Sequence, residues 1–135
     1  MYIIIVDAGP EGSSLIDLAV EEGHEVALID SHEDRARAVL KKHQIRVFQA
    51  DIAEGAILEE AEASRADALV ATTSDDSINL MAMFMGKELG IETLVSVVNE
   101  KLHQSLFKRL DVAILGDPEV IIARQLYQLL NRKRN

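Results

Sequence analysis

The sequence predicts a doubly wound α/β fold, in which a six-stranded parallel sheet carries helices on both faces. Short β-rich apolar runs alternate with longer amphipathic or mostly apolar segments, and this alternation repeats six times along the chain. Strands separated by helices run parallel through right-handed crossovers, which places the helices on both faces. The 135 residues, 48% of them apolar, suit one domain with a substantial core, so we expect a single domain over residues 1–135.

The strands are predicted from six short runs. The first, "YIIIV", follows Met1 directly, and the others are "EVALI", "VFQA", "ALVAT", "TLVSVV" and "VAIL". The predicted strands are residues 2–6, 25–29, 47–50, 68–72, 93–98 and 112–115. The segments between and after them predict helices at about 13–22, 33–43, 55–62, 76–89, 100–109 and 118–131.

The last predicted helix carries more apolar residues than one face can hold. It begins with Asp117 as its cap and Pro118 at its first position. Its apolar residues are Val120, Ile121, Ile122, Leu126, Tyr127, Leu129 and Leu130. Part of this helix should therefore pack on another surface, and we expect a homodimer or higher oligomer with residues 118–131 as the oligomerisation element.

Composition excludes several classes of function. The 23 acidic residues against 14 basic ones disfavour binding to nucleic acid or to anionic lipid. The absence of cysteine excludes disulfides, thiol catalysis and cysteine metal sites. No apolar run reaches the roughly 18 residues of a spanning helix, and Met1 leads straight into a strand without a charged and apolar leader. We expect a cytoplasmic protein with no direct membrane insertion.

The loop after the first strand, "DAGPEG", resembles a phosphate-binding glycine loop, G-x-G-x-x-G, with Asp7 in place of its first glycine. It opens a helix, whose N–H groups and dipole favour an anion. Gly9 would let the backbone approach a pyrophosphate, and Gly12 would let the helix pack closely on the strand. Ligands of such sheets bind at the carboxyl ends of the strands, where this loop lies.

Asp30 ends the second strand and lies 18 residues after Gly12. This is close to the spacing of roughly 20 at which an acid accepts hydrogen bonds from the ribose of a bound adenosine. An acid there would repel the 2′-phosphate of NADP. The alternative is that Asp30 only caps the following helix.

Together these segments resemble the TrkA N-terminal, or RCK/KTN, domain family of potassium-transport regulators. The resemblance covers nearly the whole chain, from "IIIVDAGPEGSSLIDLAVEEGHEVALIDSHEDRA" through "VFQADIAEGAILEEA" and "ADALVATTSDDSINLMAMFMGKELG" to "LVSVVNE". It implies a Rossmann-like sheet of order 3-2-1-4-5-6 that binds NAD(H) or AMP, ADP or ATP and regulates a membrane-embedded potassium channel or transporter subunit from the cytoplasm. The implied ligand-binding residues are Asp7, Ala8, Gly9, Pro10, Glu11, Gly12, Asp30, Ser31, Asp51, Ile52, Thr72 and Thr73.

Two residues depart from the family pattern, Asp7 at a glycine position and Pro10 where an arginine is common. The loops at the carboxyl ends of the strands also contain many acids and few bases. The acids are Asp7, Glu11, Asp30, Glu33, Asp51, Glu54, Asp75, Asp76, Glu100 and Asp117, against His32 and Lys101. We therefore expect a site that accepts adenosine with few phosphates or needs a divalent cation, although helix capping explains part of this acidity. A degenerate interaction module without nucleotide is the alternative.

Two other classes of protein remain to be distinguished. A magnesium-dependent phospho-acceptor receiver domain would use Asp7, Asp51, Thr72 and Lys101, but its strand order would be 2-1-3-4-5. A dehydrogenase would need a substrate domain and an acid or base near the nicotinamide. The four histidines, at positions 24, 32, 43 and 103, offer no convincing candidate, so we expect ligand sensing without turnover and no catalytic residue.

Overall fold

The computed structural model describes residues 1–54 and 56–134. Its six strands form one parallel sheet in the order β3-β2-β1-β4-β5-β6. The strands are β1 (Tyr2–Val6), β2 (Glu25–Asp30), β3 (Arg46–Gln49), β4 (Ala68–Ala71), β5 (Thr93–Val97) and β6 (Ala113–Leu115). The doubly wound fold and its predicted strand order are thus confirmed. The receiver-domain alternative is wrong, because its sheet would have the order 2-1-3-4-5.

Helices connect successive strands, and a sixth follows β6. They are α1 (Pro10–Glu21), α2 (Glu33–Lys42), α3 (Ile57–Glu60), α4 (Asp76–Glu88), α5 (Gln104–Arg109) and α6 (Pro118–Arg134), with short 3₁₀ turns at Ala63–Arg65 and Lys101–His103. The first helix starts three residues before its predicted start, because Pro10 takes the first helical position. The third is shorter than the predicted 55–62: Glu62 adopts a left-handed conformation, and residue 55 lies outside the described residues.

The central strand β1 is buried along its whole length and separates two apolar layers. Ile4 and Val6 face one layer, which includes Met83 of α4 and Phe107 of α5. Ile3 and Ile5 face the other, with α1 and α2. Full burial of each such side chain stabilises the fold by roughly 1.5–3 kcal/mol. This two-sided packing fixes the carboxyl end of β1, from which the loop 7–12 emerges.

The last helix, α6, exposes most of its apolar residues. Relative exposure runs from 43% to 64% for Val120, Ile122, Leu126, Tyr127, Leu129 and Leu130. The predicted apolar excess is therefore present on the surface, while the oligomer it implies remains a prediction. Within residues 1–54 and 56–134, no helix combines the length and apolarity that a membrane crossing requires.

Candidate functional site

A cavity of about 260 Å³ opens at the carboxyl ends of β1, β2, β3 and β4. The chain leaves β1 toward β2 and β3 on one side of the sheet and continues through β4 to β6 on the other. This reversal is where open α/β sheets bind their ligands. The cavity brings together most of the residues predicted to bind a ligand: Asp7, Gly9, Pro10, Glu11, Asp30, Ser31, Asp51, Ile52, Thr72 and Thr73.

Ala8 and Gly12 serve the frame of the cavity and do not line it. Ala8 packs into the apolar layer against α1, and its N–H donates to Asp30 Oδ2 at 2.7 Å. A Cβ atom on Gly12 would lie 1.9 Å from the backbone oxygen of Asp7 and 2.7 Å from Thr72 Oγ1. Only glycine permits this approach, and the predicted packing role of Gly12 is confirmed.

Asp7 adopts a left-handed conformation, with φ of 83°, which favours glycine. Its carboxylate turns back over the loop. Oδ2 accepts the N–H of Gly9 at 2.9 Å, and Oδ1 accepts Arg35 Nη1 at 2.8 Å. The acid in the glycine position therefore has a basic partner, and both side chains line the cavity.

The helix α1 points its N-terminus at the same cavity. Gly9 is the N-cap in an extended conformation and Pro10 takes the first helical position. Because Asp7 occupies the N–H of Gly9 and proline has none, Glu11 and Gly12 supply the other N–H groups of the first turn. A ligand anion would meet the N–H of Glu11, which lines the cavity, and the positive end of the helix dipole.

Asp30 is 3% exposed and joins the first two loops. Its Oδ2 accepts the N–H of Ala8, and its Oδ1 accepts the N–H of His32 at 2.8 Å and lies 2.9 Å from His32 Nδ1. The N-cap of α2 is His32, so the interpretation of Asp30 as the cap of that helix is wrong. A carboxylate offers about four acceptor positions, which leaves Asp30 room for one further donor.

The threonines after β4 are held by the protein itself. Thr72 Oγ1 lies 3.1 Å from the carbonyl oxygens of Val6 and Asp7, and so joins the ends of β4 and β1. Thr73 donates its N–H to Asn79 Oδ1, and its hydroxyl lies 2.7 Å from the same oxygen. Both residues line the cavity, but their hydroxyl protons have acceptors within the protein.

The cavity is less acidic than the count of loop acids suggests. Of the counted acids, it is lined by Asp7, Glu11, Asp30, Asp51 and Asp75. The carboxylate of Asp51 accepts the N–H of Ala53, and that of Asp75 caps α4 through Ser77. Helix and turn capping thus accounts for two of the five, and Arg35 partly compensates a third.

Asp76 is one of these acids but lies outside the cavity lining, in a separate cluster where Asp76 itself is buried. It is 8% exposed and accepts the N–H groups of Asn99 and Glu100 at 2.8 and 2.9 Å. Asn99 Nδ2 and His103 Nδ1 also lie 2.8 Å from it. Burial alone would raise the pKa of Asp76, but these donors outweigh it and hold that pKa at about 2. The same contact raises the pKa of His103.

Asp7, Asp30 and His32 each offer an atom suited to metal coordination, within 4.8 Å of one another. These atoms belong to groups that already bond to Arg35, to backbone N–H groups or to each other. A cation bound there would have to compete with those contacts.

A six-stranded sheet of this order, with a glycine-containing loop at the reversal of the chain and a buried acid ending β2, defines a Rossmann-type domain. The chain belongs to the TrkA-N domain family, whose model matches residues 3–118. The resemblance of the sequence to this family is therefore confirmed.

The curated relatives that the chain matches include two archaeal proteins named Trk system potassium uptake protein TrkA homolog. The chain is 29% identical over 134 residues to that of Methanothermobacter thermautotrophicus and 30% identical over 138 residues to that of Pyrococcus abyssi. These alignments cover 99% and 96% of this chain, which spans 62% and 60% of the length of the relatives.

Solved structures share the fold at lower identity. The TrkA-N domain of inner membrane protein ybaL from Escherichia coli has a TM-score of 0.85 and 15% identity, over 96% of each chain. A Kef CTD of Shewanella denitrificans in AMP-bound form has a TM-score of 0.79 and 20% identity, over 100% of this chain and 83% of that one. A GsuK channel bound to NAD has a TM-score of 0.75 and 18% identity, over 84% of this chain and 21% of that one.

Proposed function

We propose that this chain is a regulatory domain that binds an adenine nucleotide, NAD(H) or AMP, ADP or ATP, in the cavity at the chain reversal. The observation that carries the proposal is that the buried Asp30 and the N-terminus of α1 line one cavity at the chain reversal. A nucleoside monophosphate has a ribose diol to donate and an anion to accept hydrogen bonds, and this cavity offers groups for both.

Each part of the ligand has a counterpart among the lining residues. One ribose hydroxyl would donate to Asp30, and the adenine would lie beside Asp51 and Ile52 at the end of β3. The phosphate would point toward Gly9 and Glu11 at the start of α1. The AMP-bound Kef domain and the NAD-bound GsuK channel share this fold, which supports ligands of this class.

The remaining acids favour ligands with few phosphates. Glu11 is exposed at the cavity, and Asp7 lies in the phosphate loop itself. Alternatively, a divalent cation could bridge the phosphate of the ligand and the protein. It would bind the group formed by Asp7, Asp30 and His32. Magnesium would then raise affinity for ADP more than for adenosine.

The domain would sense its ligand without turning it over. Within the described residues, the histidines are held by structural contacts: His24 at the N-terminal amine, His43 at Asp17, His103 at Asp76 and His32 at Asp30. His24 and His43 lie at the amino ends of the strands, away from the cavity. Among the described residues only His32 of these four lines the cavity, and its role in this proposal is to hold Asp30 in place.

The names of the relatives support a potassium-transport system as the context. We place the domain in the cytoplasm, peripheral to the membrane, where it would pass its ligand state to a membrane-embedded channel or transporter subunit.

The exposed apolar residues of α6 support assembly of at least two copies. Light scattering at tens of micromolar should give at least the mass of a dimer, and Leu126→Glu should lower it. A monomeric wild-type protein would contradict this assembly.

Titration calorimetry with adenosine, AMP, NAD and NADP tests the proposed ligand class. Wild-type protein should bind AMP and NAD, with NADP weakest, and Asp30→Asn should weaken AMP and NAD together by about tenfold. Asp34→Asn is the matched control, since Asp34 is exposed on α2 and outside the cavity lining. Tighter binding of NADP than of NAD would contradict the role of Asp30. Absence of binding by every ligand to a folded protein would favour the interaction module without nucleotide.

A further inference from the structure

The carboxylate of Asp7 occupies two hydrogen-bond donors, one in the phosphate loop and one on α2. It accepts the N–H of Gly9, the N-cap residue of α1, and the guanidinium of Arg35, which reaches back from the first turn of α2. The side chain of Asp7 is 14% exposed and that of Arg35 is 39% exposed. The ion pair is therefore partly open to the cavity that both residues line.

Phosphates bind through the same two kinds of donor. A backbone N–H at a helix N-terminus and an arginine guanidinium each form short, charge-assisted hydrogen bonds with phosphate oxygens. A carboxylate has the same sign of charge and the same acceptor geometry. The carboxylate of Asp7 therefore occupies two donors that are suited to bind the phosphate of a ligand.

We propose that Asp7 is an internal competitor for the ligand phosphate, and that Arg35 is a phosphate-binding residue which Asp7 holds in reserve. This inference rests on the proposed nucleotide site and adds its selectivity. A phosphorylated ligand must displace Asp7 from Gly9 and Arg35, whereas adenosine leaves that contact in place. The domain therefore discriminates against ligands that carry a phosphate, beyond the general acidity of the cavity.

The competition differs from simple charge repulsion. Glu11 also carries a negative charge at the cavity, but Asp7 rather than Glu11 takes up the Gly9 and Arg35 donors. Removing Glu11 lowers repulsion and releases no donor. Removing Asp7 lowers repulsion and releases both. The two residues form a matched pair for experiment.

Calorimetry with adenosine, AMP and ADP in magnesium-free buffer tests the proposal. Asp7→Gly suits the positive φ of residue 7 and should raise affinity for AMP and ADP about tenfold, with less than about twofold change for adenosine. Asp7→Asn tolerates the same backbone and keeps a neutral acceptor for Gly9, so it should give a smaller gain. Glu11→Gln should give about twofold or less, because its charge is exposed and screened.

A double variant assigns the role of Arg35. In the Asp7→Gly background, Arg35→Ala should lower the affinity for AMP and ADP about tenfold and leave adenosine unchanged. An unchanged affinity for AMP and ADP would overturn the role of Arg35. Equal gains for adenosine and ADP in Asp7→Gly would show relief of the backbone rather than exchange of anions, and would overturn the competition.

The remaining outcomes separate this inference from the proposed function. Wild-type protein that binds AMP, combined with no gain in Asp7→Gly, overturns the competition and leaves the nucleotide site standing. A gain in Glu11→Gln as large as that in Asp7→Gly overturns it as well, since charge alone would suffice. If neither adenosine nor AMP binds the wild type or any folded variant, the nucleotide site fails, and the competition fails with it.

Discussion

Two carboxylates at the same edge of the sheet are held in contrasting ways. Asp76, at the start of α4, is buried and receives hydrogen bonds from Asn99, Glu100 and His103, which lie on the next loop and turn. Asp7, after β1, has a positive φ and bonds to Gly9 and to the partly exposed Arg35 beside an open cavity. We call the surroundings of Asp76 the closed corner. We call the surroundings of Asp7, whose donors lie within reach of a ligand, the open corner.

The contrast shows why an acid at the carboxyl edge of a Rossmann sheet does not by itself mark a binding site. Asp76 and Asp75 are adjacent in the sequence and both follow β4, yet only Asp75 lines the cavity. What distinguishes a site residue is that a ligand can reach its carboxylate or the donors which that carboxylate occupies. Asp7 and Asp30 meet this condition to different degrees, because Asp30 is the more deeply buried of the two.

The largest expected effect concerns the frame of the open corner. Gly12→Ala should destabilise the fold by about 3 kcal/mol or more, because the new Cβ would overlap backbone at Asp7 that cannot swing away. Gly9→Ala is the control: its Cβ would meet Asp7 Oδ2 at 2.8 Å, the end of a movable side chain, and should cost about 1 kcal/mol or less. Urea denaturation measures the free energy of unfolding of both variants. Equal losses would contradict the view that the backbone of Asp7 is rigid while its carboxylate can move.

Substitution of Asp76 in the closed corner should destabilise the fold nearly as much as Gly12→Ala. Substitution of Asp7 in the open corner should destabilise it much less. Asp76→Ala leaves the part-buried N–H groups of Asn99 and Glu100 without their acceptor and should cost about 2–3 kcal/mol. Asp7→Ala removes a partly exposed ion pair and should cost about 1 kcal/mol. Chemical denaturation of the two variants measures the difference directly. A larger loss for Asp7→Ala would reverse the comparison.

The fold and part of the site could be predicted from the sequence because they follow from local patterns. Alternating apolar runs gave the sheet, and the spacing from Gly12 to Asp30 indicated a cavity flanked by both loops. The loop residues do not predict Arg35 as part of the site, because Arg35 lies inside α2. A basic residue in the first turn after Asp30 was the available signal.

The closed corner could not be predicted for a different reason. Asp76 and Asn99 are 23 residues apart, and their contact depends on the packing of two loops that no local pattern encodes. Similarly, the early end of α3 depends on the left-handed conformation of Glu62, a non-glycine residue. The first is a tertiary contact, and the second is a backbone conformation that a non-glycine residue does not signal.

Acid should weaken the closed corner through Asp76. Its pKa falls from 3.8 to about 2 on folding, so its stabilisation is complete above pH 3.8 and is lost as pH falls toward 2. The loss is about 2 kcal/mol at 1.36 kcal/mol per unit. Thermal melts of wild type and Asp76→Asn from pH 5 to 2 measure it, and an equal acid dependence in the two proteins would contradict this source.

The smallest expected effect lies at the other end of the pH range. Because Asp76 raises the pKa of His103, protonated His103 stabilises the corner below its ordinary pKa of 6.5, and this contribution disappears as pH rises through the raised value. Melting temperature should fall slightly between pH 6 and 8 in wild type and less in His103→Gln. If the melting temperature of the wild type rises over this range relative to that of His103→Gln, the prediction is contradicted.

Backbone amide NMR with AMP tests most directly the claim that the open corner binds a nucleotide and the closed corner does not. Titration of the wild-type protein should shift the amide signals of Ala8, Gly9, His32 and Thr73, at the ends of β1, β2 and β4, and leave those of Asn99 and Glu100 nearly unchanged. Saturating AMP that shifts no signal, or that shifts Asn99 and Glu100 most, would contradict the account.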